Sequence, residues 1–277
     1  MKRGSLFCGD HAYPITQYIP RFVDVDPYAS NFSLLWKEYR RTIMEDGAEE
    51  TLERFSSNTG FLPEDLKGQL VLDVGCGAGR FSKLVNDAGG TVVGFDISSS
   101  VDVAFEAIGR RPNVHLLQAS VFQMPFAPST FDSLFSIYVL QHTPDPHRAF
   151  LELPLLLKRG GRIAVGVYRW PPNYVLEKYR QWTSRLPPRL LYALCHLAVP
   201  IYYLHQIPMI RGITLYLFPI AMYPNWRRRV LETFDFYSSI YQSYHTYPEV
   251  FSWFQEAGLE ELQLLGADLV ALQGRRC

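Results

Sequence analysis

Cysteine is sparse in this sequence. The four residues at positions 8, 76, 195 and 277 of a 277-residue chain are too few and too scattered for the disulfide framework of a small secreted fold. The N-terminus has no apolar signal core, so a reducing, cytoplasmic setting is the expectation. An excess of one charge is lacking too: Lys plus Arg and Asp plus Glu stand at 27 each. No net field gathers nucleic acid or an anionic membrane, and an RNA or DNA substrate is disfavoured. The longest apolar run, residues 190–204, is interrupted by His196 and Pro200, whereas a membrane-spanning helix takes roughly 20 apolar residues, so no stable span is expected. Cys8 and His11 have no second Cys or His pair nearby to complete the four ligands of structural zinc, and no metal is expected. Internal repeats and low-complexity tracts are absent as well.

What is present is an ordinary globular balance, 48% hydrophobic and 19% charged, with a β/α rhythm through the first half. "QLVLDV" at 69–74 reads as a buried strand and "RFSKLVNDAG" at 80–89 as a helix closed by glycine. "TVVGFD" at 91–96, "NVHLLQA" at 113–119, "FDSLFSIYV" at 131–139 and "RIAVGVY" at 162–168 read as further strands. Ser98 to Ser100 are N-cap candidates for a helix ending near Ile108, and residues 146–161 read as a helix that Pro154 should kink or tighten. "YPEVFSWFQEAG" at 247–258 restores a helix, and the two short strands after it are expected to pair antiparallel. The expectation is an α/β three-layer sandwich with a Rossmann-like, mostly parallel seven-stranded sheet ending in an antiparallel hairpin. Residues 1–60 are expected to form an N-terminal segment with capping helices, since 28–58 hold helical periodicity with apolar residues at 32, 35, 36, 39 and 43. Residues 61–169 and 246–277 would then make the core, with 170–245 a helical insertion after the fifth strand.

Residues 73–79 read Asp-Val-Gly-Cys-Gly-Ala-Gly, placing glycines where a strand must turn into a helix and a ligand can approach bare backbone. Asp96 follows 96 − 77 = 19 residues after Gly77, at the end of the second strand, where a ribose hydroxyl pair can be gripped. The nicotinamide fingerprint needs a third glycine at the sixth position, but Arg80 stands there, which argues against NAD. Asp73 would repel a pyrophosphate and suits a cationic amino group, so an amino-acid-bearing nucleoside fits both ends. The blander account is a tight turn and a helix cap.

"VLDVGCGAGRFS", "VVGFDIS", "VHLLQASVFQMPF", "FDSLFSIYVLQHTPDP" and "LKRGGRIAVGVY", in that order, resemble the class I S-adenosylmethionine-dependent methyltransferases, specifically a bacterial small-molecule branch. The resemblance covers about residues 69–168 and the closing helix and hairpin. It implies that Gly75, Gly77 and Gly79, followed by Arg80, shape the cofactor loop. It places Asp73 near the methionine amino group, Asp96 on the ribose hydroxyls and Ile97 against adenine. Ala119-Ser120 stands where the family usually has Gly-Asp, so Ser120, with Val121 after it, would make a weaker neutral contact to adenine. Ser136 and Ile137 match the strand end passing the sulfonium, and Tyr138 stands where relatives often carry a smaller residue. The cofactor implied is S-adenosylmethionine, leaving as S-adenosylhomocysteine.

Methyl transfer is an in-line displacement that asks for alignment, water exclusion and, for some acceptors, proton removal. His142, just beyond the fourth strand, has an ordinary pKa near 6.5 that suits a general base, against the alternative of anchoring its own Thr-Pro-Asp turn. His245, preceding the last large helix, is the second candidate, with a helix-boundary role as its alternative. Tyr18, Tyr28, Trp36, Tyr241 and Tyr244 are candidate aromatic faces for the sulfonium or ordinary core residues. Arg227, Arg228 and Arg229 form the densest basic run, a solvated face or an anion clamp. The insertion carries more apolar and aromatic surface than an uncovered excursion tolerates, and a lid, a pocket wall and a homo-oligomer contact are the roles open to it. An apolar or aromatic acceptor of polyketide, prenylated or quinone-like type is the primary expectation. A sugar or glycosylated acceptor, a non-catalytic cofactor-binding module and aminopropyl transfer are the alternatives.

Overall fold

The computed structural model describes residues 2–23, 48–266 and 268–277. Tyr28, Trp36 and the expected helical stripe from 32 to 43 lie outside the described residues. The chain opens with strands β1 (Arg3–Cys8), β2 (His11–Thr16) and β3 (Ile19–Pro20), which pair antiparallel into a small separate sheet. Sequence reading missed this ribbon: most of its side chains on β1 and β2 are exposed, so no hydrophobic alternation marks it.

After helix α1 (Ala48–Thr59) and the short α2 (Pro63–Leu66), the expected alternation runs in order: β4 (Leu70–Val74), α3 (Arg80–Asp87), β5 (Thr91–Asp96), α4 (Ser100–Ile108), β6 (Val114–Gln118) and β7 (Phe131–Ile137). A 3-10 turn at Leu140–His142 leads to α5 (Pro146–Glu152), which Asp145 caps by accepting from the Arg148 N–H at 3.0 Å. The helix expected to run to 161 stops at Glu152. Pro154 brings no N–H to continue it, a 3-10 turn forms at Pro154–Leu156, and β8 (Leu157–Tyr168) already begins there. Lys158, expected at a basic helix end, instead reaches Asp132 at 2.7 Å across a register shift between β7 and β8.

The insertion is helical as expected, with α6 (Tyr174–Thr183), α7 (Pro188–Cys195), α8 (Ala198–Leu204), α9 (Arg211–Leu217) and α10 (Trp226–Ser238). Asn173 and Asn225 cap α6 and α10, each accepting two backbone N–H groups. The chain closes with α11 (Tyr247–Glu256), β9 (Leu259–Leu265) and β10 (Leu269–Arg276). Thr246 and Glu249 form a capping box at the start of α11.

The main sheet has seven strands in the order β6-β5-β4-β7-β8-β10-β9, and β10 alone runs against its neighbours. Side chains alternate across it. Leu72 and Leu134 enter a cluster with Phe150 of α5 and Val250, Trp253 and Phe254 of α11, while Val71 and Phe135 enter the opposite cluster with Phe55 of α1, Val85 of α3 and Val101 of α4. The result is the expected three-layer sandwich. The insertion has its own core, in which Leu191 and Cys195 of α7 meet Val230, Leu231 and Phe234 of α10. Arg228 ties α10 to Glu50 of α1 at 3.2 Å.

Phe55 is fully buried, with Phe81 and Phe135 rings 5.7 and 5.1 Å away, so Phe55→Ala is expected to cost about 3–5 kcal/mol in urea unfolding. Phe7→Ala on the exposed β1 should stay within about 0.5 kcal/mol.

Candidate active site

The carboxyl ends of five consecutive parallel strands open on one cavity of about 780 Å³, the edge at which open α/β sheets bind ligands. Val74, Asp96, Ala119, Ile137 and Tyr168 line it, one at or just past the end of each strand.

At one end, the glycine turn from β4 into α3 lies under the cavity. Gly75 (φ +78°) and Gly79 (φ +83°) hold left-handed backbone, and a Cβ on Gly75 would come within 2.4 Å of Val139. The N–H groups of Gly75 and Cys76 donate to the Phe95 carbonyl at 2.8 and 2.9 Å, fixing the loop on β5. Two buried carboxylates flank it. Asp73 accepts from the Ser82 hydroxyl at 2.6 Å, yet burial pushes its pKa up to about 7, with the charge of Asp96 adding to the rise. Asp96 is also raised by burial, although Gly77 N–H at 3.1 Å and the Ser98 N–H and hydroxyl at 2.8 and 2.7 Å hold it in place. This donor and acceptor set fits an ammonium at the Asp73 end and a vicinal diol at the Asp96 end, as an amino-acid-bearing nucleoside carries.

Arg80 lines the cavity while its Nε donates to Thr51 of α1 at 2.9 Å, and Ile97, Val121 and Ile137 also lie on the wall. Gly77 and Gly79 shape the turn without lining the cavity. Ser120 accepts from the Phe122 N–H at 3.2 Å, and Ser136 is fully buried with its hydroxyl toward the Val74 carbonyl; neither reaches the wall. Ser82 was missed, because nothing in the sequence singles it out from other helix-face serines. So was Gln118, whose amide donates to the Ile97 carbonyl at 2.8 Å.

At the other end the insertion walls the cavity. Leu176 of α6, Leu215 of α9, Pro219, Ile220 and Phe236 give it an apolar side. Tyr168 is the centre of an aromatic group, with Tyr138 at 6.1 Å, Tyr244 stacked at 6.0 Å and His142 edge-on at 5.3 Å. Tyr138 faces the pocket as its position suggested, with the Arg54 guanidinium 6.0 Å from its ring centre. Tyr241 contributes its carbonyl to His142 rather than a ring to the wall, and Tyr18 stacks on Phe105 away from this cavity.

His142 lines the cavity, and its Nδ1–H donates to the Tyr241 carbonyl at 3.1 Å, which makes Nε2 the ring's acceptor. Burial, with the nearby Arg180 charge adding, lowers its pKa to about 4, so the ring is neutral at pH 7 and a weaker base than an ordinary histidine. His245 takes the helix-boundary place: its ring bonds Ser243 at 2.8 Å and Glu249 at 2.7 Å, lies 4.9 Å from Trp253, and does not line the cavity. Two acids missed by sequence reading do line it. Glu232 and Asp235 stand three residues apart on one face of α10, and burial pushes Asp235 up to about 7, with Glu232 adding and Arg180 opposing. Nothing local marks them in the sequence, although Glu232 is the first acid after Glu177. Of the basic run, Arg229 is buried against the Tyr223 and Pro224 carbonyls and Arg228 is tied to Glu50, so only Arg227 is a solvated cation. Among the described residues no group of His, Cys, Asp and Glu is arranged to hold a metal ion.

Strand order, reversed seventh strand, glycine turn and ribose-side acid together define a class I methyltransferase fold. Residues 72–165 match the methyltransferase domain family, so the chain carries a methyltransferase domain over that stretch. A 2-phytyl-1,4-naphtoquinone methyltransferase of Thermosynechococcus vestitus is 32% identical over 120 residues, 42% of this chain and 53% of that protein. A ubiquinone/menaquinone biosynthesis C-methyltransferase of Vibrio parahaemolyticus is 29% identical over 157 residues, 53% of this chain and 59% of that one. The chain spans about half the length of the curated relatives it matches. The solved magnesium protoporphyrin IX methyltransferase of Synechocystis PCC 6803, with bound S-adenosylhomocysteine, shares the fold at a TM-score of 0.55 and 17% identity, covering 90% of this chain and 98% of that one.

Asp73 yields a pH prediction. Its folded value of about 7 lies above the ordinary 3.8, so the stability its neutral form contributes is present below about pH 4 and is lost as pH rises toward 7. In the ligand-free protein, Asp73→Asn is expected to flatten the fall of melting temperature between pH 4 and about 7, leaving the share of that slope due to Asp235. An unchanged slope in thermal denaturation would show that Asp73 is charged throughout.

Proposed function

We propose that this chain transfers the methyl group of S-adenosylmethionine to a small acceptor with a flat, largely apolar or aromatic body and an ionisable hydroxyl or acidic ring carbon. Polyketide, prenylated and quinone-like metabolites have that chemistry. The observation that carries the reading is the single cavity running from Asp73 and Asp96 to a chamber of tyrosines and aliphatic side chains supplied by the insertion. The quinone methyltransferases among its relatives support it.

When bound, the cofactor supplies an electrophilic methyl on a sulfonium, and the chain's part is alignment and proton handling. Asp73 and Asp96 hold the two ends of the cofactor, and Gly75 leaves its backbone open to approach. Tyr138, Tyr168 and Tyr244 orient the acceptor ring, while Leu176, Leu215 and Phe236 exclude water. Asp235 takes the acceptor's proton, since a buried carboxylate with a value near 7 matches an acceptor deprotonated at neutral pH. His142, neutral and anchored to Tyr241, positions Tyr168 and offers Nε2 as a hydrogen-bond acceptor. A hydroxyl-rich acceptor, such as a sugar, is the second reading, favoured by Asn173, Gln242 and Glu232 on the same wall.

Two measurements test this. S-adenosylmethionine and S-adenosylhomocysteine at 100 times their dissociation constants should each add about 2.7 kcal/mol of stability, NAD should add none, and Asp96→Ala should blunt the response. Stabilisation by NAD alone would overturn the cofactor assignment. With a turned-over acceptor, kcat/KM should rise with pH and level off above about 7 as Asp235 ionises, and Asp235→Asn should lower it by roughly 10²–10⁴ and remove that rise. Turnover of sugars alone in a mixed acceptor panel would replace the aromatic reading with the second one.

A further inference from the structure

The zero net charge of the chain conceals a segregation. From residue 178 to 231 there is no Asp or Glu, while Lys178, Arg185, Arg189, Arg211 and Arg227 are exposed in that stretch. The same stretch presents large apolar side chains to solvent: Met209 is 93% exposed, Trp182 75%, Tyr203 68% and Ile213 64%, with Leu197 and Tyr216 beside them in sequence. Monomeric surfaces scatter such residues singly, whereas a concentration of them framed by polar groups marks an interaction site. The helices carrying them are short. α7 has eight residues and α8 and α9 seven each, and among the described residues no helix is long and apolar enough to cross a membrane.

We propose that the exposed side chains of α7, α8, α9 and the end of α6 form one face and that this face docks on the surface of an anionic lipid bilayer. Tryptophan and tyrosine suit the boundary between headgroups and hydrocarbon, aliphatic side chains enter just below it, and arginines and lysine meet the lipid phosphates. Charge decides for lipid over a second copy of the chain. A two-fold dimer through this face would set the same cations against each other, and the stretch has no acid to pair with them. The face also backs the site: α9 turns Leu215 into the cavity wall while Ile213 and Tyr216 stay outside, so one helix separates the acceptor end from the docking surface. An acceptor dissolved in the bilayer would then be met where it resides.

The docking is read without turnover and is therefore independent of the methyl-transfer reading. The full chain would be floated with phosphatidylcholine vesicles containing about 30 mol% phosphatidylglycerol and, separately, with phosphatidylcholine alone. Binding is expected to be at least about tenfold stronger to the anionic vesicles and to collapse in roughly 0.5 M NaCl, where exposed charges are screened within a few ångströms. The double variant Met209→Asp, Ile213→Asp should lose about tenfold or more of the vesicle binding while keeping the parent's melting temperature, because both positions are exposed. Equal binding to both lipids, no binding at low salt, or vesicle binding undisturbed in the variant would overturn the proposal. So would a concentration-dependent dimer, seen by light scattering and abolished in the variant, in a chain that does not float.

Discussion

Everything in this site is arranged around two carboxylates that the fold removes from water. Asp73 and Asp96 sit on either side of a glycine turn, both raised above their ordinary values by burial, with the charge of Asp96 adding to the rise at Asp73. Such a pair is costly in a closed interior unless hydrogen bonds or a ligand compensate. Ser82, Ser98 and the Gly77 amide supply part of that compensation, and the seven-stranded sheet supplies the rigidity that keeps both acids facing one cavity. Under the proposed function a cationic ammonium and a diol would complete it, and recognition of the cofactor would repay desolvation already incurred in folding.

The acceptor end works by a different balance. The tyrosines around Tyr168 give flat surfaces of low entropy cost, and their hydroxyls stay protonated because burial holds Tyr138, Tyr168 and Tyr244 above the ordinary phenol value. In such surroundings Asp235 stands out. Arg180 is close enough to favour its ionisation but is itself committed to Glu177, the Phe236 carbonyl and Tyr244, so it tempers the acid without neutralising it.

How much of this was legible in the sequence depended on whether the information was local. The strand-turn-helix at 69–89 and the acid at 96 are short-range patterns, because a buried strand, a left-handed glycine and a capped helix each leave a mark within a few residues. The strand ends at Ala119, Ile137 and Tyr168 followed from the same rhythm. The helix thought to run through Pro154 misled because its apolar leucines fit either period. His245 faced a different partner than expected, since its contact with Glu249 is a helix-cap arrangement that competes with any role in the cavity. Asp235, Glu232 and Tyr223 were illegible as site residues because the insertion brings them back across more than 50 residues of chain to line the same cavity as Tyr168. The first two strands of the N-terminal ribbon left no pattern, because most of their side chains are exposed.

That ribbon nevertheless belongs to the frame of the cofactor pocket. Arg21, just after β3, donates to Gln118 at 2.9 Å and pairs with Asp102 of α4 at 2.5 Å, and Gln118 in turn grips the carbonyl of Ile97. A guanidinium just past the third strand is therefore two hydrogen bonds from Ile97 on the cavity wall. The outermost strands are tied to that wall by these polar groups and by Ile19, buried in the same core as Val101 and Ala104 of α4, so a segment that contributes no surface to the pocket helps to hold its frame.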